Sequence, residues 1–333
     1  MDQPDFTHYV TLIHTYCDRF AQQLVACAKR GRPYVYQQKV LIVFFMVMQL
    51  RRIFQFKTQW NWLKSHPDQR EQLGFTSLPH RTTLSRRYKA LAPVIEEFIV
   101  FLGREVEELD ERFDSRDLFE DKSLFKAQGP VWHQSDRKVN RIPDKLRNLD
   151  TDATWSKSGY HGWVYGYGFH LTCNAAGFPK LIQTETASVS EKQVLDDKTD
   201  HILHLLCPDT LTGDNGYTKA MRVRNWAKQG VALLTPATSW VKGRYAQAYH
   251  VYIEQPLNAA LLKLRKTAIE PIFDLIAKII GATANDNQLP LNSLVNVRTC
   301  LALACLTLQI AMIANSIWNL PFRHISTIQG VFA

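Results

Sequence analysis

The chain has 333 residues, more than the usual size of one domain, and its 46% hydrophobic and 21% charged residues fit an ordinary globular composition, which excludes a fibrous or disordered protein. A formal net charge of +9 favours a polyanionic partner, although charge alone leaves a basic protein without nucleic acid equally open. Six cysteines (Cys17, Cys27, Cys173, Cys207, Cys300 and Cys305) lack any CxxC pairing, so they read as free thiols in a reducing cytoplasm rather than as a zinc site or disulfide framework.

The first element is a helix over 8–29, where Val10, Ile13, Phe20 and Leu24 recur at helical spacing before Gly31-Arg32-Pro33 ends it. A second helix begins near Tyr36 and is apolar on most faces over 40–50, which places it at the centre of a small helical domain. This run and a later one over 299–314 are shorter than the about 20 apolar residues of a spanning helix, so both read as core helices and no membrane contact is expected. A short helix ends at Leu73-Gly74-Phe75, and another starts after Pro79. Together they resemble a helix-turn-helix with Arg81, Thr83, Arg86 and Arg87 exposed toward DNA, the alternative being a solvated basic helix. The domain boundary is placed near residue 105, giving a helical domain over 1–105 and a second domain over 106–333.

Beyond it, strand-like segments at 117–125, 163–173, 179–186, 209–213 and 231–235 give way to helical patterns at 191–206, 219–229 and 259–280, which implies a mixed α/β sheet. A last helix over 292–315 is expected to cover that sheet. No HExxH, GxSxG, Walker loop or complete GxGxxG is present, so the enzyme classes that depend on them lose support.

Acidic residues set into apolar strands remain. In Leu211-Thr-Gly-Asp214-Asn-Gly-Tyr217 a strand stops on a carboxylate, with Gly213 and Gly216 permitting close approach; a turn aspartate is the alternative. Asp121 interrupts an apolar strand, and a buried carboxylate is costly unless paired or metal-bound, but Asp114 and Asp117 compete for the same role. Glu270 adjoins the stripe Ile269, Ile272, Phe273 and Ile276, with Arg265 and Lys266 about one turn earlier; a solvated helix glutamate is the alternative, and Glu254 is a second candidate.

Four segments in order, Asp121-Lys-Ser-Leu-Phe-Lys-Ala-Gln-Gly-Pro-Val-Trp-His133, Gly162-Trp-Val-Tyr-Gly-Tyr-Gly-Phe-His170, Thr212-Gly-Asp-Asn-Gly-Tyr217 and Arg265-Lys-Thr-Ala-Ile-Glu-Pro-Ile-Phe273, resemble bacterial insertion-sequence transposases of the DDE class. The resemblance implies an RNase H-like mixed sheet flanked by helices, behind an all-helical DNA-binding domain. It makes Asp121, Asp214 and Glu270 the metal-holding carboxylates for two magnesium or manganese ions. It also implies double-stranded DNA as partner, with cleavage at terminal inverted repeats and joining to target DNA, and at least a dimer on DNA. Arg265, Lys266 and Lys278 would then hold phosphates, while Arg81, Arg86 and Arg87 grip the repeat. The helix departs from the pattern by lacking a tyrosine two places before Arg265, by placing Pro271 after the glutamate, and by setting Lys278 one place late. An inactive DNA-binding copy acting as a repressor, or a host nuclease of the same fold, are the rival readings. His170, Trp132-His133, Trp155, Trp163 and Trp240 are lesser candidates near the site.

Overall fold

The computed structural model describes residues 4–23, 34–144, 146–159, 162–236, 244–282 and 286–332. Six helices come first: α1 (Phe6–Gln23), α2 (Gln38–Leu50), α3 (Phe56–Ser65), α4 (Pro67–Gln72), α5 (Arg81–Lys89) and α6 (Ala92–Glu105). Then follow β1 (Asp117–Lys126), α7 (Gln134–Lys138), β2 (Thr154–Ser158), β3 (Gly162–Asn174), β4 (Pro179–Thr186), α8 (Glu191–His201), β5 (Thr210–Thr212), α9 (Ala220–Lys228) and β6 (Ala232–Leu234). The chain closes with α10 (Arg244–Ile253), α11 (Pro256–Ile280), α12 (Leu294–Ile317) and α13 (Ser326–Phe332). It divides into two compact units, one of residues 1–102 with 276–333 and one of residues 103–275, so the divisions fall inside α6 and α11.

The helical unit is built round α2, whose residues Val40, Leu41, Ile42, Val43, Phe44, Phe45, Met46, Val47 and Met48 are all buried. A helix apolar on every face must be enclosed on every face, and α12 supplies much of the enclosure. The Gln49 amide donates to the Cys300 carbonyl at 2.9 Å, Arg298 pairs with Glu96, and the Thr299 hydroxyl donates to the Tyr88 carbonyl at 3.2 Å. The helix expected to cover the sheet therefore belongs to the helical unit instead. The reason lies in its composition: α12 is buried without interruption from Thr299 to Asn315, so a single sheet face would leave its other side bare. By length and composition α12 is apolar enough to cross a membrane, longer than its apolar run implied, but its side chains from Thr299 to Asn315 are buried.

α5 starts where the His80 side chain accepts the Thr82 amide at 3.3 Å, a local cap that follows directly on Pro79. It leans on α3 rather than on the six-residue α4, with Trp60 Nε1 donating to the Pro79 carbonyl at 2.9 Å and Phe56 edge-on to Tyr88. Of the cysteines, Cys17, Cys173, Cys300 and Cys305 are buried free thiols, Cys207 is an exposed one, and Cys27 lies outside the described residues.

The second unit is a mixed sheet. β3 is its long central ribbon, buried on both faces from Val164 to Asn174, and it pairs antiparallel with β1 on one side. On its other side it pairs with β4 and, at its start, with β2, which is a short strand not foreseen from the sequence. β1 then pairs parallel with β5, and β5 parallel with β6. An antiparallel β4-β3-β1 half continued by parallel β5 and β6 through helical crossovers is the RNase H-like arrangement. Gly166 permits the close β1–β3 approach, since a Cβ there would lie 1.9 Å from the Phe125 carbonyl oxygen.

Candidate active site

Side chains alternate along β1, so Glu120 and Asp121 point to opposite faces of the sheet. Glu120 is fully buried against α8, where Lys198 Nζ reaches its carboxylate at 2.8 Å and the Thr172 hydroxyl donates to it. Asp121 faces α11, and Arg265 Nη1 donates to its Oδ2 at 2.5 Å while the Lys122 amide donates to Oδ1 at 2.8 Å. The same helix contacts that face again where Phe273 meets Phe169 edge-on.

Asp214 stands two residues beyond β5 and caps the short turn Asn215–Tyr217, its Oδ1 accepting the Gly216 amide at 2.7 Å. Because β1 and β5 run parallel and in register, the end of β5 lies beside the middle of β1. Burial pushes the Asp121 carboxyl up to about 7 against the pull of Arg265, and Asp214 and Glu191 add to the push. Asp114 and Asp117 are engaged elsewhere, the first with Arg116 and the second with the Thr210 hydroxyl at 2.7 Å. The structure thus separates Asp121 from its two sequence neighbours.

Glu191 was not among the residues singled out in the sequence. It is the first residue of α8, after the Ser190 cap that accepts the Gln193 amide, and its carboxylate reaches Gly216. Burial raises its proton affinity, and Asp214 raises it further. A capping serine marks where the helix starts, but nothing in the local sequence marks where that carboxylate goes.

Glu270 is exposed on α11, five residues after Arg265, which puts the two on different sides of the helix. Arg265, not Glu270, is the α11 side chain seated on Asp121. Lys266 and Lys278 are exposed, Lys278 in the part of α11 that belongs to the helical unit, and Glu254 is exposed before α11 begins. Among the described residues no three His, Cys, Asp or Glu side chains stand as a ready metal cage. The donor set at Asp121, Asp214 and Glu191 is nonetheless all hard oxygen. The raised proton affinity of Asp121 and Glu191 marks negative charge that a divalent cation would relieve, so the residues fit magnesium or manganese by chemistry.

The remaining candidates separate cleanly. His170 is fully buried opposite Lys122, hence on the other face from Asp121, and burial with Lys198 and Lys122 nearby keeps it neutral. Trp132 is buried and donates to the Arg141 carbonyl, Trp155 donates to the Trp132 carbonyl at 2.9 Å, and both serve packing. His133 and Trp163 are exposed, and Trp240 lies outside the described residues. In the helical unit Arg81 and Arg86 are exposed on α5 and Thr83 is half-buried. Arg87 corrects the expectation. It turns inward, stacks over the Tyr34 ring at 4.0 Å and donates to the Tyr36 carbonyl, because its place on α5 follows the buried Leu84 by one helical turn.

A family model described as "Transposase DDE domain" matches residues 114–290. Two solved structures are similar at low identity. One is a piggyBac transposase synaptic complex with hairpin DNA, 8% identical, covering 97% of this chain and 76% of that one with a TM-score of 0.40. The other is a pre-cleavage Mos1 transpososome, 10% identical, covering 87% and 83% with a TM-score of 0.19. No curated protein matches the chain.

Proposed function

Because the chain belongs to the transposase DDE domain family, we propose that it cuts DNA at the ends of a mobile element and joins those ends to target DNA in a reaction dependent on divalent metal. The observation that carries this reading is the parallel pairing of β1 with β5, which sets Asp121, in the middle of β1, and Asp214, two residues past β5, on neighbouring strands although they are 93 positions apart in sequence, with charges that act on one another. Asp121 and Asp214 hold the ions; the family pattern makes Glu270 the third carboxylate, although here it is exposed on a different side of α11 from Arg265. Bound magnesium or manganese supplies an activated oxygen nucleophile and charge stabilisation at the phosphate. The protein does the rest. Arg265 and Lys266 hold phosphates beside the carboxylates, Arg265 first leaving Asp121 to do so. Arg81 and Arg86 grip double-stranded DNA from α5, and two copies of the chain bring two ends together.

The test is cleavage of linear DNA bearing the inverted repeats that border the gene, in magnesium or manganese. Asp121→Asn, Asp214→Asn and Glu270→Gln are each expected to lower the cleavage rate by at least a hundredfold while leaving repeat binding in a gel shift unchanged. Cleavage surviving Asp121→Asn and Asp214→Asn at the parental rate would sink the catalytic reading and leave a DNA-binding protein.

A further inference from the structure

Glu191 belongs to a different part of the chain from any of the three carboxylates of the family pattern, yet its carboxylate and that of Asp214 converge on one glycine. A Cβ at position 216 would lie 1.8 Å from Glu191 Oε2 and 2.9 Å from Asp214 Oδ1, so both oxygens converge on the bare α-carbon of Gly216. Any other residue at 216 would force the pair apart. Asp214 is held in that position by the Gly216 amide, whereas Glu191, half-buried, has no hydrogen-bond donor or ion-pair partner among the described residues. Lys122, whose charge acts on Glu191, spends its ammonium on the carbonyls of Ala187 and Val189, at 3.0 and 2.9 Å. Two carboxylates brought together around a glycine, one of them without a hydrogen-bond donor, carry negative charge that Lys122 and Lys192 answer only from beyond ion-pair distance.

We propose that Glu191 is a fourth metal-binding carboxylate of this site, sharing a divalent cation with Asp214. The inference rests on the reading of Asp121 and Asp214 as metal-holding residues. It makes the start of α8 part of the catalytic centre, and it gives Gly216 a function: to leave room for both carboxylates on one ion. Oxygen ligands at both positions select magnesium or manganese over softer metals.

The experiment is manganese binding to the full-length protein, followed by the electron-spin resonance of free Mn²⁺, with magnesium-dependent cleavage as the second readout. Glu191→Gln, nearly equal in size and without charge, is expected to weaken Mn²⁺ binding at least tenfold and to raise the magnesium concentration for half-maximal cleavage by a similar factor. Glu191→Asp should recover part of both. Gly216→Ala keeps every carboxylate but fills the space between two of them, and it should weaken Mn²⁺ binding as Glu191→Gln does. Glu191→Gln that binds Mn²⁺ like the parent, while Asp214→Asn does not, overturns the inference and leaves the wider reading intact. Unchanged Mn²⁺ binding in Asp121→Asn, Asp214→Asn and Glu191→Gln together overturns both. If Glu191→Gln unfolds, the Gly216→Ala protein decides: parental Mn²⁺ binding there counts against a shared ion.

Discussion

Asp121 is a part-buried carboxylate, with a guanidinium on one oxygen and two further carboxylates acting on it. The burial outweighs the guanidinium, and the carboxyl rises from its ordinary value of 3.8 to about 7. Its effect on stability has a definite sign. Between about pH 4 and about pH 7 the folded protein holds a proton that the unfolded chain has released, so stability is greatest below that window and is lost as pH rises through it. In chelator-treated protein, Asp121→Asn removes this titration. The variant should therefore melt higher than the parent above pH 7, by on the order of 2–4 °C, and the gap should close below pH 4. A gap independent of pH in scanning calorimetry would show that Asp121 is ionised throughout. Arg87 teaches the complementary lesson: it belongs to a basic run, yet its guanidinium stacks on Tyr34 and serves the fold.

At the scale of elements, α8 is fastened to β1 by one ion pair, Lys198 with Glu120, exposed by only 2% and 0%. That clamp sits two turns after Glu191 and so fixes where the start of the helix lies. Breaking it from one side leaves a charge in the core. Lys198→Met is expected to cost roughly 3–5 kcal/mol in urea denaturation, because Glu120 must either remain charged without a partner or take up a proton. Replacing both, Glu120→Leu with Lys198→Met, should restore most of that loss, since desolvating the pair consumes much of what their attraction returns. A double variant no more stable than Lys198→Met would mean that the pair is needed for packing as well as for charge. On the other face of β1, Arg265 of α11 takes the corresponding position on Asp121, so on each face of the strand an acid is answered by a helix.

For the molecule as a whole, the helical unit is discontinuous in sequence, joining residues 1–102 to 276–333. The helix that carries Arg81 and Arg86 thus depends on residues some two hundred positions later, as Thr299 bonding to the Tyr88 carbonyl makes concrete. Removing residues 282–333 would strip α12 from α2 and expose an apolar helix on every side. The truncated chain is expected to lose more helical circular dichroism than the deleted helices account for, and to lose DNA binding in a gel shift although α5 is intact in sequence. Retained binding would show that α3, α4 and α5 fold without the C-terminal helices.

Local periodicity carried much of this architecture. The strands at 117–126, 162–174 and 179–186, the buried α2 and the start of α5 after Pro79 are all set by patterns within a few residues, and so were legible in the sequence. The acidic strand end at Asp214 was legible for the same reason, since a strand halting at Gly-Asp is a local event. What pairs across the sheet is not local. That Asp121 and Glu191 crowd Asp214, that Arg265 and not Glu270 meets Asp121, that Arg87 turns inward and that α12 joins the N-terminal helices were decided by strand register, by helix rotation and by which apolar surfaces had to be covered. The sequence, through its family resemblance, grouped Asp121 and Asp214 with Glu270, whereas tertiary packing alone set Glu191 beside Asp214, because the start of α8 and the glycine at 216 come together only in the folded chain.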